Sequence, residues 1–416
     1  MDELKRKKTV VVIGGGAAGF FSAINCAGEN PNLNVILLEK SSKVLAKVRV
    51  SGGGRCNVTH ACFDPSELVK FYPRGSRELL GPFHTFSPKD TISWFSARGV
   101  ELKTETDGRM FPVANDSAVI VECLLNSASI TGVKVKLNSA VISVKKNDTN
   151  DFEIELQTGE IIIADKVILA AGGFPTLKAF DWFTDTGHTI IPPAPSLFTF
   201  NMPGNPISEL MGVSLENAKV KIQGTKLSNS GSLLITHWGM SGPCILKLSS
   251  IAARTLQEMN YNFKILVSWL PDVSDEELRL KLQQLRLDMA RKKMSSSNPF
   301  QLPKRLWEHL LFKSITDKDQ DWAHLKKEEV NRLIKALIMD EYEVKGKTTF
   351  KEEFVTCGGV DLREIDFKSM ESKKSPGLFF AGEVLNIDAV TGGFNFQAAW
   401  TTAYIAGKHI AGSLVE

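Results

Sequence analysis

The sequence predicts a discontinuous α/β fold. A Rossmann-like domain is built from both ends of the chain and carries an inserted β-barrel-like domain and a small helical domain. Three observations predict it. A β-branched run, Thr9 to Ile13, breaks into Gly14-Gly15-Gly16-Ala17-Ala18-Gly19. Two more apolar runs, far apart in the chain, end in glycine: "EIIIADKVILAAGG" at 160–173 and "SPGLFFAGEVLNID" at 375–388. Between them the text turns to glycine-punctuated strand patterns and then to leucine-striped helices. The expected boundaries are 1–191 with 356–416 for the Rossmann-like domain, 192–270 with 345–355 for the β insert, and 271–344 for the helical part.

The N-terminal run reads as a buried parallel strand because it is apolar throughout rather than alternating. Residues 14–19 match G-x-G-x-x-G, with a helix from Phe20 to Ala27 and a second strand, Val35 to Leu38, ending in Glu39. Gly14 permits the tight turn, Gly16 lets the backbone approach a pyrophosphate, and Gly19 permits close helix–strand packing. The helix N-terminus, opening at Ala17 and Ala18, offers free N–H groups and the positive end of its dipole to phosphate. Glu39 suits a ribose 2′-hydroxyl and repels a 2′-phosphate, which favours FAD or NAD over NADP. The basic start, "KRKK", before an apolar run mimics a signal peptide, but three glycines interrupt the run and serve the turn better.

Composition excludes several classes. Hydrophobic residues at 43% and charged residues at 23% are those of a globular protein, and 416 residues exceed one ordinary core. A net charge of +3 gives no global argument for nucleic acid or a membrane surface as partner. Six scattered cysteines contain no CxxC pair, which argues against a disulfide framework and for a reducing cytoplasm. The histidines show no metal-ligand spacing, so no metal is expected.

The strand ends at Ala170-Ala171-Gly172-Gly173 and Gly382-Glu383 resemble signatures of the flavoproteins with two dinucleotide-binding domains. The resemblance implies FAD, with Glu383 standing where a shorter acid usually lies near the ribityl-pyrophosphate. Gly392-Gly393, before a helix from about Phe394, presents a second helix N-terminus. Aimed at the pyrimidine edge of an isoalloxazine, it would stabilise negative charge there.

"VSGGGRCNVTH", Val50 to His60, has successive glycines able to form an anion-binding nest, flanked by Lys47 and Arg55. We read Ser51, Gly52, Gly53, Gly54, Arg55, Cys56 and Asn57 as a second wall of the cofactor site. Cys56 lacks a CxxC partner and is expected to pack rather than to carry redox chemistry. Together with "GRMFP" at 108–112, "THWGMSGP" at 236–243, "GGVD" at 358–361, "MESK" at 370–373 and "TGGFN" at 391–395, these stretches resemble the NAD(P)/FAD-dependent, aminoacetone-oxidase-like flavoprotein family, which has a bile-acid-reducing member. Lys40, Val141, Asp388 and Asn395 complete the residues expected to line the cofactor. The chain departs from the family pattern at 174–190, "FPTLKAFDWFTDTGHTI", and at Asn386 and Ala389.

In the insert, Ser274 to Glu277 read as a capping box, and Leu278, Leu282, Leu285 and Met289 form one helical stripe. The insert carries no second G-x-G-x-x-G, so any NAD(P)H is expected to bind transiently over the flavin ring. His237 is the candidate proton donor, although a turn histidine bonded to backbone is the commoner arrangement. The resulting expectation is an FAD-dependent oxidoreductase performing hydride chemistry on a small, apolar substrate. It has no nucleic-acid or membrane partner. A non-catalytic flavin-binding redox sensor and a tRNA-modification flavoprotein are the alternatives.

Overall fold

The computed structural model describes residues 7–317, 319–348 and 355–414, and the chain divides into two compact units. One comprises Met1–Ser196 with Phe350–Glu416, the other Leu197–Thr349.

The first unit is organised on a seven-stranded sheet. Five of its strands are parallel: β1 (Thr9–Ile13), β2 (Asn34–Leu38), β3 (Lys134–Lys136), β4 (Lys166–Leu169) and β5 (Leu378–Phe380). Their order is β5-β4-β1-β2-β3, with two short antiparallel strands, Ile365–Asp366 and Glu371–Ser372, beyond β5. Every residue of β1 is buried, as a parallel strand covered on both faces requires. Helix α1 (Ala17–Glu29) packs along the C-terminal helix Phe394–Ser413 so closely that a Cβ on Gly407 would lie 2.6 Å from the Ser22 carbonyl oxygen. Small residues at that seam bring the two helices together over the sheet.

Three smaller sheets frame this core. Strand Ile190–Ser196 pairs antiparallel with Val355–Val360. Strands Thr59–His60 and Leu102–Thr104 flank Arg109–Pro112. Val141–Lys146, Phe152–Leu156 and Ile161–Ala164 form a meander, so the apolar text of 160–173 serves two different sheets. The atypical stretch after Gly173 folds as 3₁₀ turns over Leu177–Thr186, driving Phe180 and Phe183 into the core at 1% exposure each.

The second unit holds an antiparallel seven-stranded sheet, whose pairing among the described residues runs from Asp340–Lys345 at one edge to Lys347–Thr348 at the other. Strand Ser214–Ile222 buries alternate residues, the pattern of a sheet with one covered face. Helix Asp275–Asp288 begins at the Ser274–Glu277 capping box, and helices Lys304–Ser314 and Lys327–Ile338 lie further along the chain. Their apolar stripes join the sheet in one hydrophobic cluster, so the segments read from sequence as a β part and a helical part share a core. A helical segment of that length has too little apolar surface to close a core of its own. Among the described residues no helix is long and apolar enough to cross a membrane.

Candidate functional site

The parallel sheet fixes the site, because β1, β4 and β5 all end at the same edge and their glycines meet there. Gly14 has φ +117°, and a Cβ on it would sit 2.4 Å from the Ala170 carbonyl oxygen. Gly19 packs tighter still, its would-be Cβ 1.8 Å from the Gly14 oxygen. Gly16 is the N-cap of α1, makes no side-chain cap bond, and faces open space where a Cβ would meet nothing within 4 Å. The first turn of α1 at Ala17 and Ala18 therefore opens onto room for a phosphate, as a Rossmann turn requires.

Glu39 is partly committed to this turn. One carboxylate oxygen accepts the Gly15 N–H at 2.8 Å, and the other accepts the N–H and the hydroxyl of Ser41, each at 2.8 Å. Val141 lies two residues beyond Ser139, whose N–H donates to the Glu39 carbonyl at 2.8 Å, which brings it to the same end of the site. Lys40 is exposed beside them.

The glycine run at 52–54 ends a kinked helix, Ala46–Gly54, with Gly52, Gly53 and Gly54 all left-handed at φ +60°, +69° and +83°. Phe111 closes on this loop, since a Cβ on Gly52 would meet its ring at 2.8 Å. Arg55 stacks over that ring at 4.0 Å and pairs with Glu105 at 2.6 Å, which also holds Arg109 at 3.0 Å. The "GRMFP" segment thus braces the loop, and the Arg55 charge is locally compensated. Lys47 is paired as well, with Glu383 at 2.6 Å. Cys56 is fully buried with φ +60°, and burial pushes its thiol up to about 12. A thiol so placed carries no thiolate near neutral pH.

Asn57, with its amide oriented to suit both neighbours, accepts the Gly393 N–H at 2.9 Å and donates to the Thr59 carbonyl at 3.1 Å. This ties the glycine loop to the N-cap of the C-terminal helix. Gly392 and Gly393 have φ of +141° and +90°, and a Cβ on Gly393 would strike the Thr59 oxygen at 2.4 Å. Phe394 stacks between Phe71 at 4.2 Å and His60 at 4.6 Å. Asn395 spends its amide on both backbone groups of Ala389, at 2.9 and 3.1 Å, which shapes the approach to the helix. Asn386, the other departure from the family pattern, accepts the Gly358 N–H at 3.0 Å.

Gly172, at φ +77°, and Gly173 face Glu383, and Gly382 sits against Ala18 with its N–H donating to Thr402 at 2.9 Å. The Asp388 side chain is committed to other partners. It is fully buried, gripped by the Arg74 guanidinium and by the Ser196 hydroxyl at 2.6 Å, and burial raises its carboxyl above the usual range despite that pairing. Both its oxygens are thus taken up by internal partners, Arg74 and Ser196. Sequence reading also missed Thr356, whose N–H donates to Glu383 at 3.0 Å. It carried no motif signal, being an ordinary threonine before "CGGV". His237 belongs to the second unit, exposed in the turn between strands Ser228–Thr236 and Gly239–Ser241 beside Trp238.

Glycine turn, strand-end acid and second helix N-terminus on one parallel sheet define a dinucleotide-dependent flavoprotein of the oxidoreductase class. The model of the HI0933-like protein Rossmann domain matches residues 8–409, and the chain belongs to that family of FAD-dependent oxidoreductases. It is 30% identical over 405 residues to a ribosomal RNA dihydrouridine synthase of Escherichia coli, covering 95% of this chain and 96% of that one. It is 28% identical over 407 residues to a 3-dehydro-bile acid delta(4,6)-reductase of Clostridium scindens, covering 95% and 97%. In fold it resembles the open conformation of a flavocytochrome c3 fumarate reductase, with TM-score 0.50 and 16% identity over 98% of this chain and 79% of that one. The residues fit FAD: Gly16 leaves space before the α1 N-terminus, and a buried Thr356 hydroxyl without a partner among the described residues lies beyond it.

Proposed function

We propose that the protein reduces a carbon–carbon double bond conjugated to a carbonyl, that its substrate is a uracil base in ribosomal RNA, and that NAD(P)H is the electron donor. One observation carries the reaction class. Two kinds of full-length relative, named for dihydrouridine synthesis and for bile-acid delta(4,6) reduction, are named for saturation of the same type of bond. The RNA substrate is favoured because the relative reaching 30% identity carries that name, as does a second, from Haemophilus influenzae, at 28%. The expectation of no nucleic-acid partner rested on low net charge and on the mixed charge of the helical segment, and these names weigh against it and against a small, apolar substrate.

Bound FAD supplies the two-electron redox chemistry. The chain's own residues hold and tune it. The turn at Gly14–Gly19 and the α1 N-terminus bind the pyrophosphate, and Glu39 receives the adenosine ribose and rejects a 2′-phosphate. Lys47 pairs with Glu383 and holds it in place beside Gly173. The N-terminus of the C-terminal helix, fixed by Asn57 and Asn395, stabilises negative charge at the pyrimidine edge.

An anaerobic visible spectrum tests this. We expect a flavin band bleached by NADH or NADPH, then restored by protein-free ribosomal RNA with two hydrogens gained per modified uridine. Restoration by an enone steroid alone replaces the RNA substrate but keeps the reaction class. Restoration by neither, with oxygen alone effective, overturns the proposal in favour of an oxidase or a redox sensor.

A further inference from the structure

We propose that Thr356 is a cofactor-contacting residue whose hydroxyl hydrogen-bonds the neutral, hydroxylated chain between the isoalloxazine and the pyrophosphate of FAD. The inference rests on the assignment of the strand-end cradle to FAD and deepens it.

Thr356 is 1% exposed, and its Oγ1 has no hydrogen-bond partner among the described residues. Folded proteins rarely leave a buried hydroxyl unpaired, because it gives up water without replacement. The position of this orphan group is informative. A Cβ on Gly173 would lie 2.8 Å from Thr356 Oγ1 and 2.7 Å from Glu383 Oε1. A side chain at 173 would therefore collide with a hydroxyl and a carboxylate oxygen, and glycine lets both atoms stand against this turn.

Two anchors hold the threonine there. Its N–H donates to Glu383 Oε1 at 3.0 Å, and its strand pairs antiparallel with Ile190–Ser196, setting Thr356 opposite Pro195. The hydroxyl is thus placed rather than mobile.

Charge selects which part of FAD belongs here. Glu383 is paired with Lys47 at 2.6 Å, so the corner is close to neutral and offers no surplus cation to a phosphate. The pyrophosphate has a better seat at Gly16 and the α1 N-terminus. A polyol suits the corner, since its hydroxyls can donate to Glu383 and can either donate to or accept from Thr356. Thr356 is then satisfied only when the cofactor is bound. That predicts opposite signs for cofactor affinity and for apoprotein stability on removal of the hydroxyl.

The test compares Thr356→Val, which keeps the shape and deletes the hydroxyl, with Thr356→Ser, which keeps the hydroxyl. Apoprotein is titrated with FAD by flavin fluorescence and with ADP by calorimetry, and its thermal midpoint is recorded. We expect Thr356→Val to weaken FAD about 3- to 10-fold, the worth of one net hydrogen bond. ADP binding stays unchanged, the apoprotein midpoint does not fall, and Thr356→Ser stays within about 2-fold of wild type for FAD. Unaltered FAD affinity in Thr356→Val overturns the inference, as does an equal loss for FAD and ADP, which marks a general disturbance. A lowered apoprotein midpoint with FAD affinity intact overturns it in favour of a structural hydroxyl. Failure of the wild-type protein itself to take up FAD overturns the cradle's assignment along with the inference, so the two failures are told apart.

Discussion

A methyl group on Gly19 would lie 1.8 Å from the Gly14 carbonyl oxygen, whereas one on Gly16 would touch nothing within 4 Å. The two glycines of one motif are therefore required for different reasons. Gly19 is needed by the fold, because strand and helix approach there to backbone contact. Gly16 is needed only by what sits in front of the helix. Gly19→Ala is expected to cost about 3 kcal/mol or more, since backbone on both sides must move. Gly16→Ala is expected to stay within about 0.5 kcal/mol of wild type and to weaken FAD at least about 10-fold through its intrusion at the pyrophosphate. Urea unfolding and FAD titration of both variants check this. Equal stability losses, or FAD affinity intact in Gly16→Ala, would contradict the division. These glycines were legible in the sequence because their constraint is local: spacing alone places them. Thr356, the link from Asn57 to Gly393 and the ion pairs Lys47–Glu383 and Arg55–Glu105 were not, because each joins positions far apart in the chain and depends on which strand ends meet.

Elements show the same contrast between local and distant causes. The Ser274–Glu277 capping box was readable because Ser and Glu three apart before an apolar stripe satisfy each other's backbone groups. The start of helix Lys327–Ile338 was not, since its key residue works across a loop. Glu329, 2% exposed, accepts the Lys326 N–H at 3.0 Å, the Thr316 N–H at 3.0 Å and the Gln320 amide at 3.2 Å. Burial alone would raise its carboxyl, but these bonds together outweigh burial and hold it down at about 2. A carboxyl lowered by folding contributes stability that is fully present above its unfolded value of about 4.5 and is lost as pH falls towards 2. The contribution amounts to about 3 kcal/mol. The stability gap between wild type and Glu329→Gln should therefore be level above pH 5 and narrow steadily between about 4.5 and 2. Urea unfolding across that range reads the gap directly, and a gap independent of pH would show that the hydrogen bonds do not favour the ionised form. The kinked helix Ala46–Gly54 was legible only as a loop wall for a related reason, since the glycines hid a helical start whose bend occurs at Ser51.

At the scale of the molecule, the insertion is arranged so that it need not disturb the site-bearing unit. Strand Thr199–Asn201 pairs with Lys347–Thr348, setting Thr199 opposite Thr348, so the chain enters and leaves the second unit at neighbouring points. That unit, Leu197–Thr349, has its own hydrophobic cluster, including Trp269, Trp307 and Trp322, each no more than 1% exposed. At about 150 residues it has the size of an independently folding domain. None of the residues placed in the cofactor cradle comes from it. Excised, the 197–349 segment is expected to melt cooperatively and to show no change of midpoint with FAD. The full chain should show an FAD-dependent rise in the transition of the other unit, by the ordinary linkage between ligand and folded state. Calorimetry of both proteins with and without FAD makes the comparison. A segment that fails to fold alone would mean that the sheet and helices rely on the rest of the chain. A midpoint raised by FAD in the isolated segment would place part of the cofactor's binding energy in the insert, and His237 would then be the first residue to reassign.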